Sequence, residues 1–358
     1  MARELDSIDT RILDQIQSDV PLEPQPFRII AGRVGVSEDE VLRRIEALKA
    51  PPRPVIRQIS AIFDSKALGY QSTLVAAMID EARIDQAAAV INQHPGVSHN
   101  YRRNNAFNLW YTLAVPPHSR LGLEKTLAIV HELSGSKSTR MMPTLRLFKI
   151  GVKLDLSGGA DPSGRTDVPV FSAEQQDAAC LIPVTEADKR MIRVMQRNLP
   201  VVSRPFDGWA QEAGVTLAEL LDAARRYIAE KRMRRFSAVL KHREVGFSAN
   251  GMGVWDVPQE QREAFGRTAA SFSAVSHCYE RPSYPDWPYS MFTMVHAPTQ
   301  EQCDGVLRAI SRATGITRYG ALYSSHEYKK VRVQYFAGDI EAWEDAHIEN
   351  AATPLVGV

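Results

Sequence analysis

A histidine, a tyrosine and an arginine spaced two residues apart occur twice in this chain. His99, Tyr101 and Arg103 lie in VSHNYRR, and His277, Tyr279 and Arg281 lie in VSHCYER, at an offset of 178. Residues i, i+2 and i+4 of an extended strand share one face, so each segment would present an imidazole, a phenol and a guanidinium side by side. An imidazole can deliver or take a proton near neutral pH, and a guanidinium fork grips a carboxylate with two bonds. The two rows point to a surface that handles anionic groups.

The elements that must carry these rows are themselves repeated. Pro21, Pro26, Phe27, Ala31, Gly35 and Val36 match Pro200, Pro205, Phe206, Ala210, Gly214 and Val215 at an offset of 179. Ser60, Ala61 and Gly69 match Ser237, Ala238 and Gly246 at 177. SGGADPSGRTDVP, rich in turn-forming residues, reads as a linker between the copies. Each copy opens with helical patterns, in the first near Ile8–Ser18, Phe27–Val34 and Ser37–Lys49, the last begun by a Ser37/Glu40 capping box. A short β-like segment, Val55–Ile62, follows like a wing. Strand and helix then alternate as βαββαβ, the ferredoxin-like order, with last strands expected near Leu145–Leu154 and Lys330–Phe336. The expected fold class is α+β, a tandem winged helix-turn-helix plus ferredoxin-like domain. The boundaries read as 1–62 and 63–156, a linker at 157–179, then 180–240, 241–344 and a tail at 345–358. Sheets of the unlike halves are expected to pack on each other as an intramolecular pseudo-dimer, with a homodimer of the whole chain left open.

Composition narrows the partners. The 358 residues carry a net charge of +1, so no global field drives the chain onto nucleic acid or an anionic membrane. No run of 18 apolar residues and no signal peptide are expected, so no membrane partner is read. Three cysteines, Cys180, Cys278 and Cys303, form no C-x-x-C pair and suit free thiols in the cytoplasm.

Helix-turn-helix followed by βαββαβ resembles the Lrp/AsnC regulators over nearly all of each copy. Specific DNA binding is nevertheless not expected. The start of the reading helix is Ser37, Glu38, Asp39 and Glu40, where a base-reading helix makes its contacts and carboxylates would face phosphates. Within that superfamily, SHCYER, WPYSMFTMVHAP and YSSHEYKKVRVQYF resemble the NirL-like half of sirohaem decarboxylases. HPGVSHNYRRN, FNLWYTL and LRLFKI resemble the NirD-like half. This resemblance to the fused NirD–NirL type implies removal of the C12 and C18 acetate carboxyls of sirohaem, giving 12,18-didecarboxysirohaem and CO2 on the route to haem d1. It implies no cofactor, since the iron belongs to the substrate.

Sirohaem is a broad ring with eight carboxylates, and the residues suit it. Arg102, Arg103, Arg146, Arg281, Lys329 and Lys330 offer cationic contacts, and Tyr101, Trp110, Tyr279 and Trp287 offer faces for the macrocycle. His99 and His277 are the expected acids. His296 has Ala114 at its first-half counterpart and reads as a substrate contact, whether as a ligand to the sirohaem iron or a second acid, or as an ordinary hydrogen-bonded histidine; the protein alone offers no metal site. His326 departs from the arginine of the family motif, and His94 reads as loop structure. The aromatic set also suits a plain core. A ligand-responsive regulator and a non-catalytic tetrapyrrole carrier are the competing classes.

Overall fold

The computed structural model describes residues 5–150, 164, 182–240 and 249–348. Apart from Gly164 the expected linker lies outside them, as do Cys180 and the chain beyond 348. The first copy runs α1 (Ser7–Ser18), α2 (Pro26–Val34), α3 (Glu38–Lys49), β1 (Ile56–Phe63), β2 (Gln71–Met78), α4 (Ile84–Gln93), β3 (His99–Arg103), β4 (Leu109–Val115), α5 (Gly122–Ser134), β5 (Ser138–Met142) and β6 (Arg146–Ile150). The second runs α6 (Glu186–Met195), α7 (Asp207–Ala213), α8 (Leu217–Ala229), β7 (Met233–Leu240), β8 (Ala249–Trp255), α9 (Arg262–Ala270), β9 (Val275–Glu280), β10 (Met291–Ala297), α10 (Gln300–Thr314), β11 (Tyr319–Lys330) and α11 (Asp339–His347).

Two compact units cut across the repeat. Among the described residues, 5–69, 182–240 and 334–337 form one, and 70–150, 164, 249–333 and 338–348 the other. In the first unit the two wings pair as an antiparallel ribbon, β1 on β7, with Ser60 opposite Ser237. Only half of the expected capping box forms at α3. Ser37 Oγ accepts the Glu40 amide at 3.2 Å, but the Glu40 carboxylate turns to Arg43 at 2.7 Å and Arg44 at 2.6 Å. Arg44 also reaches Asp6 and Asp9, each at 2.7 Å. The reciprocal box is complete at α8, between Thr216 and Glu219.

In the second unit nine strands of the described residues form one sheet in the order β5-β2-β4-β3-β11-β8-β10-β9-β6. The sets β5-β2-β4-β3 and β11-β8-β10-β9 are two ferredoxin-like sheets, each with its fourth strand beside its first. β11 joins them: Tyr319–Tyr323 pairs with β8, and Ser324–Lys330 continues along β3. β6 does the converse and adds to β9 of the other copy. The fourth strands therefore lie earlier than expected. Ser138–Met142, not Leu145–Leu154, closes the first sheet, and β11 ends where Lys330–Phe336 was expected to begin. STRMM and YGALYSS lack the apolar alternation that marks a strand, and their extended form comes from pairing with β2 and β8.

Side-chain alternation gives each half-sheet two buried faces. On one, Val75, Ala77, Leu109 and Tyr111 meet Ala87, Ala88 and Ile91 of α4 and Leu127 and Val130 of α5. On the other, Ala76, Trp110 and Met142 meet Met252, Val254, Phe292 and Leu322 of the second copy around Trp287. The unlike sheets thus pack on each other as well as sharing an edge. Gly96 is needed where β3 begins: a Cβ there would stand 1.9 Å from the Ala114 carbonyl.

Candidate active site

Both rows sit on the sheet faces that look toward the other copy. On β3, Tyr101 pairs across the ladder with Trp110, and on β9 Tyr279 pairs with Phe292. The His99 and Tyr101 rings lie 6.1 Å apart, and those of His277 and Tyr279 lie 5.9 Å apart. Arg103 follows at 5.8 Å from the Tyr101 ring and Arg281 at 4.7 Å from the Tyr279 ring. Three residues from each row are therefore brought together as the spacing predicts.

The two arginines reach across the duplication in the same way. Arg103 Nη1 donates to the Leu322 carbonyl on β11 at 2.8 Å, and Arg281 Nη1 donates to the Met142 carbonyl on β5. Each grips the fourth strand of the opposite half. Arg103 is 7% exposed and Arg281 8%, yet among the described residues neither has a carboxylate partner, and the Nε of each lacks a hydrogen bond there. Burial brings both guanidiniums down to about 10. A buried charge without a counterion costs several kcal/mol, so these two positions are electrostatically incomplete.

The histidines are held by serines that the sequence reading passed over. Ser98 Oγ lies 2.9 Å from His99 Nδ1 and 2.7 Å from the Thr112 hydroxyl. Ser276 Oγ lies 2.8 Å from His277 Nδ1 and 2.8 Å from His296 Nε2. The signal was available, since both serines stand in the repeated VSH motif. His296 thus joins the second-half row through a hydroxyl. Lys330 stands opposite His99 on the ladder, where Ile150 stands opposite His277.

The other expected contacts fall elsewhere. Arg102 points to the helix side of β3 and pairs with Glu81. Its counterpart Glu280 pairs with Arg262 at 3.0 Å, the same bridge with its charges exchanged. Arg146 pairs with Glu263 and covers the Phe148 ring at 4.8 Å. Lys329 gives its ammonium to the Asn92 carbonyl at 2.7 Å at the end of α4, as Lys149 does to the Phe272 carbonyl at 2.8 Å. Trp110 and Trp287 are buried core, 5.1 Å apart, and neither offers an open face. A cavity of about 660 Å³ opens at the C-terminal end of β3, lined by Glu81, Asp85, Arg102, Arg103, His326 and Tyr328 among others. It is lined by neither histidine of the rows. Among the described residues no cluster of three or more His, Cys, Asp or Glu side chains could hold a metal ion. None of their helices is long and apolar enough to cross a membrane.

Comparison with known proteins agrees with this architecture. Residues 67–149 and 244–329 match the AsnC-like ligand binding domain. Residues 9–57 and 188–234 match the Siroheme decarboxylase NirDL-like HTH domain. A siroheme decarboxylase of Hydrogenobacter thermophilus is 39% identical over 93% of this chain and 96% of its own length. A siroheme decarboxylase beta subunit of Methanosarcina barkeri is 44% identical, over 42% of this chain and 98% of its own. The crystal structure of the siroheme decarboxylase NirDL in complex with an iron-uroporphyrin III analogue superposes with a TM-score of 0.74. It is 34% identical and covers 96% of this chain and 99% of its own.

Proposed function

The chain belongs to the sirohaem decarboxylases of the fused NirDL type, and from that premise we propose that it takes sirohaem and removes its C12 and C18 acetate carboxyls. The products are 12,18-didecarboxysirohaem and CO2, on the way to haem d1. The observation that carries this reading is the pair of buried guanidiniums of Arg103 and Arg281, without a carboxylate partner among the described residues, each beside a tyrosine and a serine-held histidine. A substrate carboxylate supplies the missing counterion, and a charge-assisted fork fixes its plane.

Decarboxylation breaks the bond between the acetate methylene and its carboxylate. CO2 leaves, and the electron pair stays on the methylene until a proton closes it to a methyl group. We assign that proton to Nε2 of His99 in one half and of His277 in the other, with Nδ1 engaged by Ser98 or Ser276. Histidine suits the task because its pKa lies near the working pH. No cofactor enters this account; the iron arrives with the substrate. The free, buried thiols of Cys278 and Cys303 support a cytoplasmic setting.

A DNA-binding role draws no support from α3. Its arginines are taken by carboxylates: Arg43 by Glu40, and Arg44 by Glu40, Asp6 and Asp9. The deciding experiment is anaerobic incubation with sirohaem, with product mass followed over time. Loss of two CO2 through a mono-decarboxylated intermediate is expected. Tight binding with no change in mass would leave a carrier instead.

A further inference from the structure

The second half makes a contact that the first does not. His296 pairs with Asn250 on β8, and Ala114, its counterpart, pairs with Ser72 on β2. Only in the second half, then, does an imidazole stand at this register beside the serine. Ser276 Oγ is 2.8 Å from each of two ring nitrogens, His277 Nδ1 and His296 Nε2. In the first half the serine's other neighbour is the Thr112 hydroxyl, whose oxygen also accepts the His99 amide at 3.1 Å.

One hydroxyl between two imidazoles links their protonation. A serine has one proton to give and can accept two. When it donates to one ring, that nitrogen is bare and the other ring carries the N–H. When it turns to the Met294 carbonyl at 3.3 Å, both rings donate to it. A proton can pass along such a chain without any heavy atom moving far.

We propose that His296 acts on the reaction through Ser276, as a positioning residue that fixes the ring of His277 and supplies a proton to its Nδ1 as Nε2 gives one up. This rests on the reading of His277 as an acid. As CO2 leaves, the His277 Nε2 proton passes to the substrate methylene. The Ser276 hydroxyl proton passes to His277 Nδ1, and the Nε2 proton of an imidazolium His296 passes to Ser276. One proton is consumed overall: His277 is left neutral with its proton on Nδ1 and His296 is left neutral, and the starting state returns when water protonates His277 Nε2 and the protons shift back from Nδ1 to Ser276 and from Ser276 to His296. Thr112 offers His99 no such reserve, because an alcohol does not release a proton near neutral pH. The two halves are therefore equipped for unlike rates of proton return.

The test uses His296→Gln, which can still bond Ser276 but cannot relay a proton, together with Ser276→Ala and Ser276→Thr. Mono- and didecarboxylated products are followed in single turnovers of sirohaem. His296→Gln and Ser276→Ala are expected to slow one of the two steps by about 10–100-fold, within the range of positioned proton transfer. KM should hold within about twofold, and Ser276→Thr should recover most of the rate. Wild-type rates in His296→Gln, equal loss in both steps, or Ser276→Thr no better than Ser276→Ala would each overturn the inference. If a variant does not fold, ¹⁵N spectra of the histidine-labelled wild-type protein decide. Ring nitrogens of His277 and His296 shifted together toward shared-proton values support the relay, and two isolated tautomer patterns overturn it. Wild-type protein that releases no CO2 from sirohaem would instead overturn the proposed function.

Discussion

The β3 row and the β9 row descend from one motif and have kept different things. Both keep histidine on serine, tyrosine next, and an arginine whose Nη1 holds a carbonyl of the opposite half. What surrounds them has changed: Thr112 against His296 beside the serine, and Lys330 against Ile150 across the ladder. On the proposed reading, the shared part is what each half needs to bind a carboxylate and present an acid. The divergent part would then govern how a proton reaches that acid and what charge stands beside it. A fused chain can afford this division, since each half is always present with its complement.

The sharpest way to break the comparison is to remove one acid at a time. His99→Ala and His277→Ala should each slow a single decarboxylation by about 10²–10⁴-fold, so that the mono-decarboxylated product accumulates in both, with opposite acetates retained. Product mass and tandem fragmentation read this directly. If one variant loses both steps while the other loses neither, the two rows are not two centres.

A smaller effect is expected from the arginines. Arg103→Met and Arg281→Met should weaken sirohaem binding by about 10–100-fold each, the worth of a hydrogen bond to a charged partner. The cross-half carbonyl bond is lost too, but so is a buried, uncompensated charge, so melting temperatures should move little. Titration of each variant beside its thermal melt checks both statements. Lys330→Ala, at an exposed position, should cost only a few-fold in affinity and only through the first half. An equal effect on both steps would remove the charge difference from the comparison.

The repeat, the helix-turn-helix and the His–Tyr–Arg rows were legible because each is written in local pattern. Gly35 closes α2 in the left-handed conformation, and Ile84, Ala87, Ala88 and Ile91 fall on the buried face of α4. The fourth strands were not legible, because Ser138–Met142 and Tyr319–Lys330 are extended by their partners rather than by their own alternation. The same long-range pairing hid the roles of Lys329 and Arg146, which read as free cations but are held at the end of α4 and by Glu263. The bond of Arg103 to the Leu322 carbonyl, a clamp between the halves, was not legible, since Leu322 lies far along the chain. Sequence patterning reports the face a residue occupies; it does not report what the fold brings to that face.

The smallest expected effect separates the halves by acid stability. His94 stands at the end of α4 where the second half has Phe272, and both carbonyls lie near a lysine ammonium, Lys329 or Lys149. The His94 ring is buried, accepts the Gly96 amide on Nδ1 at 3.0 Å, and lies edge-on to Trp343, which stacks on His347. Burial first, then the charges of Lys329 and His347, lower its pKa to about 3 from 6.5. The folded chain thus keeps His94 neutral at pH values where the unfolded chain has bound a proton. Its contribution is full above about pH 6.5 and is lost progressively as pH falls toward 3. His94→Phe removes this dependence at the cost of the Gly96 bond. The variant should be somewhat less stable at pH 7.5 and should lose less on acidification to pH 4.5. Melting curves at the two pH values give the answer, and equal acid losses in variant and wild type would show that His94 does not make the first half the acid-sensitive one.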